Sequence, residues 1–175
     1  MNSWKGSATR VDVGTGVGAG FAADYSDAFR IAAVRGHRAR EWAQRSLGGA
    51  DRAHGLFRRL VWNRLLGFEL AAPGTAGTLV GWRIACEEPQ LLVLEADGRR
   101  MAGRIVFEAS DTALTWTTML RYHRPIARAI WAAAGYVHRA LTPRCLATAR
   151  LSLQHSSIGT RNPETDTESG FLQRL

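Results

Sequence analysis

The sequence predicts an α+β domain: an antiparallel meander of strands, two short helices ahead of it and a long helix behind it. Three observations predict this. Apolar residues alternate with polar or small ones between Val80 and Tyr122, two helical stretches between Gly36 and Gly67 are bounded by glycine, and after Pro125 the apolar spacing becomes that of a helix. A chain of 175 residues has room for one domain of ordinary size with a single core.

Residues 1–22 show no sustained periodicity and read as a flexible leader. Within them VDVGTGVGAGF places glycine at 14, 16, 18 and 20, which suggests a phosphate-cradling turn. That motif needs a buried strand before its glycines, a helix directly after them and an acidic residue about 20 positions on. Here SATRVDV is short and polar, FAADYSDAFRIAA reads as loop and then strand, and the downstream neighbourhood is VRGHRAR. The glycines are therefore read as part of the leader.

A strand over Asp27–Ala33 follows. A first helix begins near Gly36 and stops at Gly48-Gly49, and a second runs from about Ala50 to Leu66 with Gly67 as its stop. On this second helix Phe57, Val61, Leu65 and Phe68 form one apolar side, while Trp62 and Leu66 lie away from it among arginines. Either the first helix covers that second ridge through Trp42 and Leu47, or Trp62 and Leu66 dip into a membrane interface.

After AAPGTAG the period changes to two. Val80, Trp82 and Ile84 alternate; LLVLEADGRR runs into an Asp-Gly turn; Met101, Gly103, Ile105 and Phe107 alternate; and Leu114, Trp116, Thr118, Leu120 and Tyr122 share one parity. Short turns between such runs predict an antiparallel meander with one wetted face. The last helix starts near Arg124 with Pro125 in its first turn and reaches Leu141 or beyond, with Pro143 expected to bend or end it. Ile126, Ile130, Ala133, Val137 and Ala140 fall on one side, and Arg128 and Arg139 on the opposite one. Residues 151–175 read as a disordered polar tail, leaving 23–150 as the folded domain.

Lys+Arg 23 against Asp+Glu 15 gives a net charge of +8, nearly all of it arginine. Such a charge bears on partners rather than on fold. Eight arginines lie between residues 35 and 64, against Glu41 and Asp51. They would suit an anionic membrane surface; no nucleic-acid recognition motif accompanies them, so nucleic acid is set aside as a partner. Cys86 and Cys145 lie far apart in no metal-ligand spacing, so neither a disulfide scaffold nor a metal site is expected, and no cofactor is implied. No uncharged apolar run approaches the roughly 18 residues of a spanning helix. These features together predict a cytoplasmic protein.

The order strand, two helices, antiparallel meander and long C-terminal helix resembles the helix-grip fold of the START-like (SRPBCC) superfamily. More narrowly, REWAQRSLGGADRAHGLFRRLVWNRLLGFEL, GWRIACEEPQLLVLEADGRRMAGRIVFEA and LTWTTMLRYHRPIARAIWAAAGYVHRALTPRCLATA are similar to a bacterial family of that superfamily known only as a domain of unknown function. The resemblance covers about Asp24 to Ala149, and its most specific pieces are TTMLRYH and YVHRALTPRCL. It implies a curved sheet gripping the C-terminal helix around a cavity. Members of the superfamily bind lipids, sterols or polyketides, or act as small cyclases.

The expected ligand is thus a small, largely apolar molecule, lipid- or polyketide-like. The expected lining is Met101, Gly103, Ile105, Phe107, Leu114, Trp116, Leu120 and Tyr122 from strands, with Ile126, Ile130, Ala133 and Val137 from the helix. Gly103 stands where a bulky inward residue is expected, and its lack of a side chain would widen the cavity or mark a bulge. Arg124, Trp131 and His138, seven apart, form a polar rim that His123 could approach. A cyclase or dehydratase would use His123 or His138 to move protons, histidine being the side chain most easily set up for that near neutral pH.

Overall fold

The computed structural model describes residues 7–159 apart from 15, 17–18, 49–60 and 73. Seven strands form one sheet in the order β1-β2-β7-β6-β5-β4-β3, every neighbouring pair antiparallel: β1 (Thr9–Val11), β2 (Tyr25–Ala32), β3 (Thr78–Leu79), β4 (Trp82–Glu87), β5 (Leu91–Ala96), β6 (Met101–Ala109) and β7 (Ala113–Tyr122). Two α-helices, α1 (Ala39–Gly48) and α2 (Pro125–Gly159), pack on it and on each other. The α+β class and the meander from Trp82 to Tyr122 agree with the periodicity.

Register fixes which side chains face the helices. Phe29 pairs with Trp116, Trp116 with Phe107 and Phe107 with Leu92, so these four share a face, together with Tyr25, Asp27 and Ile31 on β2 and Met101, Gly103 and Ile105 on β6. Met101, Phe107 and Leu114 are fully buried there, and Ile105, Trp116 and Leu120 nearly so.

Gly103 does not widen a cavity. A β-carbon at that position would lie 2.9 Å from the Phe68 ring and 3.0 Å from the Trp82 ring, so two aromatic side chains already fill the space its missing side chain leaves. Phe68 and Trp82 stack at 5.2 Å, and Trp62 meets Trp82 edge-on at 5.5 Å. The segment that delivers Trp62 is Val61–Leu66, a π-helical turn stopped by Gly67 at a positive φ of 77°. Most of the second helix expected at Ala50–Leu66 falls outside the described residues. Where it is described, Leu66 and Phe68 are buried and Trp62 packs on the core, while Leu65, expected on the same side as Phe68, is 48% exposed. The wider π turn alters the angular spacing on which a 3.6-residue reading relies. Trp62 and Leu66 are thus not a membrane-dipping ridge.

The leader is also structured in part. Thr9–Val11 pairs with β2, the Arg104 guanidinium donates to the Ala19 carbonyl at 2.9 Å, and the Phe21 ring sits beneath Arg104 and Arg121 at 4.9 and 5.5 Å. Asp24 is tied to β7 by its own amide and by accepting from the Tyr122 amide at 2.6 Å. On the convex face Ala28, Val106, Thr117 and Met119 are all buried, so that face is not simply wetted.

α1 begins with half of a capping box: the Glu41 carboxylate accepts from the Arg38 amide and from the His37 ring. Its buried side, including Trp42, Ala43 and Leu47, faces β5, β6 and α2. α2 is longer than expected, running through Pro143 and nine residues into the stretch read as tail. A proline inside a helix costs about 3 kcal/mol. Beyond it Leu146 and Leu153 are almost wholly buried, each contributing about 1.5–3 kcal/mol, and Ser152 and Ser157 bond Arg45 and His37 beside α1. The burial offsets the missing amide.

Leucine at position 103 decides between a filled and an open core. Overpacking against Phe68 and Trp82 predicts that Gly103→Leu destabilises by about 1–3 kcal/mol in denaturant melts. An open cavity at that position would instead be filled, and the variant would gain stability.

Candidate functional site

β2 carries an acid at an inward position. Asp27 is 2% exposed, with its side chain fully covered. A buried carboxylate is tolerated only where hydrogen bonds replace its water. The Tyr25 hydroxyl, on the same face two residues earlier, donates to Asp27 Oδ2 at 2.6 Å, and His138 Nε2 of α2 lies 3.3 Å from Oδ1. The Thr142 hydroxyl, one turn further along α2, donates to the His138 carbonyl at 2.9 Å and faces His138 Nδ1 at 3.3 Å. All these contacts are satisfied together when both ring nitrogens carry hydrogen.

Burial, and then the bond to Asp27, push the Tyr25 phenol up to about 12, so its hydroxyl stays a donor. The Arg139 guanidinium reaches the same oxygen at 3.4 Å. Trp131 closes the group, meeting Tyr25 edge-on at 5.1 Å and His138 at 5.3 Å.

One donor in this seam is unused. Trp131 is 6% exposed, and its indole Nε1 has no hydrogen-bond partner among the described residues. It packs over the buried Gly135, one turn on: a β-carbon at Gly135 would sit 3.1 Å from Trp131 Nε1 and 3.1 Å from Arg139 Nη1, so both side chains close over the glycine. Indole and guanidinium N–H groups thus lie close together between α2 and β2. Two donors so placed can hold an acceptor oxygen, a carbonyl or a carboxylate.

Of the expected lining, the β6 and β7 residues are on the concave side as read, with Tyr122 half-buried, but they pack against neighbours instead of an opening. On α2 the expected side is rotated. Ile130 is half-buried, whereas Ile126 and Val137 are 56% and 55% exposed and Ala133 is exposed too. The buried side runs instead through Ala127, Trp131, Gly135, Thr142, Leu146, Ala149 and Leu153, and Arg139, expected outward, reaches Tyr25. Trp131 and the two leucines bury more area than the shorter aliphatic stripe offers.

Of the expected rim, Trp131 and His138 face the seam and Arg124 is exposed. His123 stands apart: His138 is 15 residues further along, roughly 20 Å at helical rise, and His123 Nδ1 donates to the Gly98 carbonyl while Nε2 faces Asp97 at 3.7 Å. Tyr25, Asp27, Gly135 and Thr142 were not singled out in the sequence. Their signals were an acid at apolar parity in YSDAF and a W-x₃-G-x₃-R spacing one helical turn apart.

Two surface pockets lie elsewhere. One of about 460 Å³, on the convex face, includes Phe21, Arg83, Glu95, Arg104 and Arg121; its arginines pair with Glu95 or stack on Phe21. The other, about 570 Å³, borders Arg10, Asp12 and Ser26 at the β1–β2 edge. Among the described residues no group of three or more His, Cys, Asp or Glu side chains could hold a metal ion. Comparison with family models, curated proteins and solved structures gives no match for this chain.

Tyr25 yields a pH prediction. Its phenol has a higher pKa folded than free, so its contribution to stability is complete below pH 10 and is lost as pH rises towards 12. A phenolate-absorbance titration should contain a component near pH 12 that Tyr25→Phe removes; a titration unchanged by that substitution would contradict the Asp27 contact.

Proposed function

We propose that this protein is a small-molecule-binding module of the helix-grip type, similar to the START-like superfamily. Its ligand is a largely apolar molecule carrying a carbonyl or carboxylate oxygen, and the seam between β2 and α2 holds that oxygen. The observation that carries this reading is the unpartnered indole N–H of buried Trp131, which packs over Gly135 together with the Arg139 guanidinium. A buried donor without a partner costs about 1–3 kcal/mol, a penalty that a bound acceptor removes.

The surroundings suit such a molecule. Phe29, Tyr25 and Trp131 supply aromatic walls, and the Asp27–Tyr25–His138 network holds Tyr25 and α2 in register. Binding, not catalysis, is the reading favoured here, because His138 directs one ring nitrogen to Asp27 and the other to Thr142, leaving neither for a substrate.

Decanoate is a suitable first probe, followed by titration calorimetry. Gly135→Ala should lower its affinity about tenfold or more, because the added methyl meets both donors at 3.1 Å and pushes them out of place. Alanine is also the better helix former, by up to about 1 kcal/mol, so lost binding would not come with a collapsed fold. Trp131→Phe keeps the ring and removes the N–H; it should weaken decanoate binding about fivefold or more while leaving the melt almost unchanged. Equal binding by wild type and both variants, or none by wild type to decanoate or to carbonyl compounds, would sink the proposal.

A further inference from the structure

The outer side of α2 is the largest surface the fold leaves unused. Ile126, Val137, Leu141 and Leu151 are 46–58% exposed, and Tyr136 is 76% exposed. At 3.6 residues per turn the four aliphatic residues fall on one stripe opposite the buried side, extending roughly 38 Å from Ile126 to Leu151. A contiguous apolar stripe of this length on a folded domain marks a contact surface.

Its charge identifies the partner. In 35 residues α2 has no Asp or Glu, and Arg144 is exposed within the stripe. The whole chain carries +8. We propose that this face docks on an anionic lipid bilayer, with Val137, Leu141 and their neighbours at the headgroup boundary and Arg144 among the phosphates. A basic face with aliphatic residues at its centre is the composition of a helix that lies in the interface plane. Tyr136, apolar in body and polar at its tip, belongs at the same depth. Among the described residues no helix is long and apolar enough to cross a membrane, so α2 lies along the surface.

A second copy of the chain fits this face less well. A two-fold pairing would set one acid-free basic helix against another, with no carboxylate on either to meet the arginines. The surface is also separate from Gly135 and the Trp131 N–H, which lie on the opposite, buried side of α2.

Co-sedimentation of the full chain with vesicles tests the proposal. Phosphatidylcholine vesicles are compared with vesicles of phosphatidylcholine and phosphatidylglycerol in equal parts, at low and high salt. The protein should pellet only with the anionic vesicles, and less as salt screens the headgroups. The pair Val137→Ser and Leu141→Ser, which keeps the charge, should lower the partition about tenfold or more. Arg144→Gln should lower it about fivefold, whereas Arg128→Gln, on the opposite side of α2, should leave it unchanged. All four residues are exposed, so the thermal melt should stay in place, and any decanoate binding should persist.

Failure to pellet with anionic vesicles, pelleting indifferent to phosphatidylglycerol, or pelleting unaltered both in the serine pair and in Arg144→Gln would each overturn the assignment. So would a dimer in sedimentation velocity that the serine pair dissolves, with no vesicle binding: the stripe would then be a self-association face.

Discussion

The contact between Trp131 and Tyr25 sets the rotation of α2 on the sheet, and much else follows from it. Once the indole is turned against β2, residues one and two turns on, Gly135 and Arg139, must face the seam, and so must His138 and Thr142. The same rotation carries Ile126, Val137 and Leu141 to the outside. The inner polar cluster and the outer apolar stripe are therefore two results of one packing choice. That choice is reinforced at the far end, where Leu146 and Leu153 bury against α1 firmly enough to carry the helix through Pro143.

The centre of the domain is closed by aromatic packing. A sheet strand with glycine at an inward position can expose a gap or admit a neighbour's ring, and here Phe68 and Trp82 enter over Gly103. Ligand chemistry is thereby displaced from the middle of the sheet to its β2 side, where a buried acid, a phenol and a histidine satisfy one another and the Trp131 N–H stays unpaired. The polar network specifies position; the unpaired donor offers binding energy.

The strands were legible because a two-residue period reports one face directly: Met101, Ile105 and Phe107 on β6, and Leu114, Trp116 and Leu120 on β7, are where their parity puts them. Helix rotation was not. α2 has aliphatic residues around most of its circumference, so a wheel drawn on Ile126, Ile130, Ala133 and Val137 selects a real stripe and assigns it to the wrong side. Only the bulk of Trp131, and the length gained beyond Pro143, break that degeneracy. The Asp27 site stayed hidden for a related reason: one acid in YSDAFRIA looks like an ordinary polar position until the register pairs it with Thr118 and places it under His138. The pairing of Thr9–Val11 with β2 and the seat of Phe21 beneath two arginines leave no periodicity in the sequence, because each rests on a short stretch or a single ring.

The central claim is that the Trp131 indole N–H, packed over Gly135, is a vacant donor, and proton–nitrogen correlation of the six tryptophan indoles observes it directly. Assigned through Trp131→Phe, its resonance should move progressively on addition of decanoate, in the direction of a newly formed hydrogen bond, and should stay still in Gly135→Ala. An indole signal from Trp131 that never responds, or that responds equally in Gly135→Ala, would contradict the account.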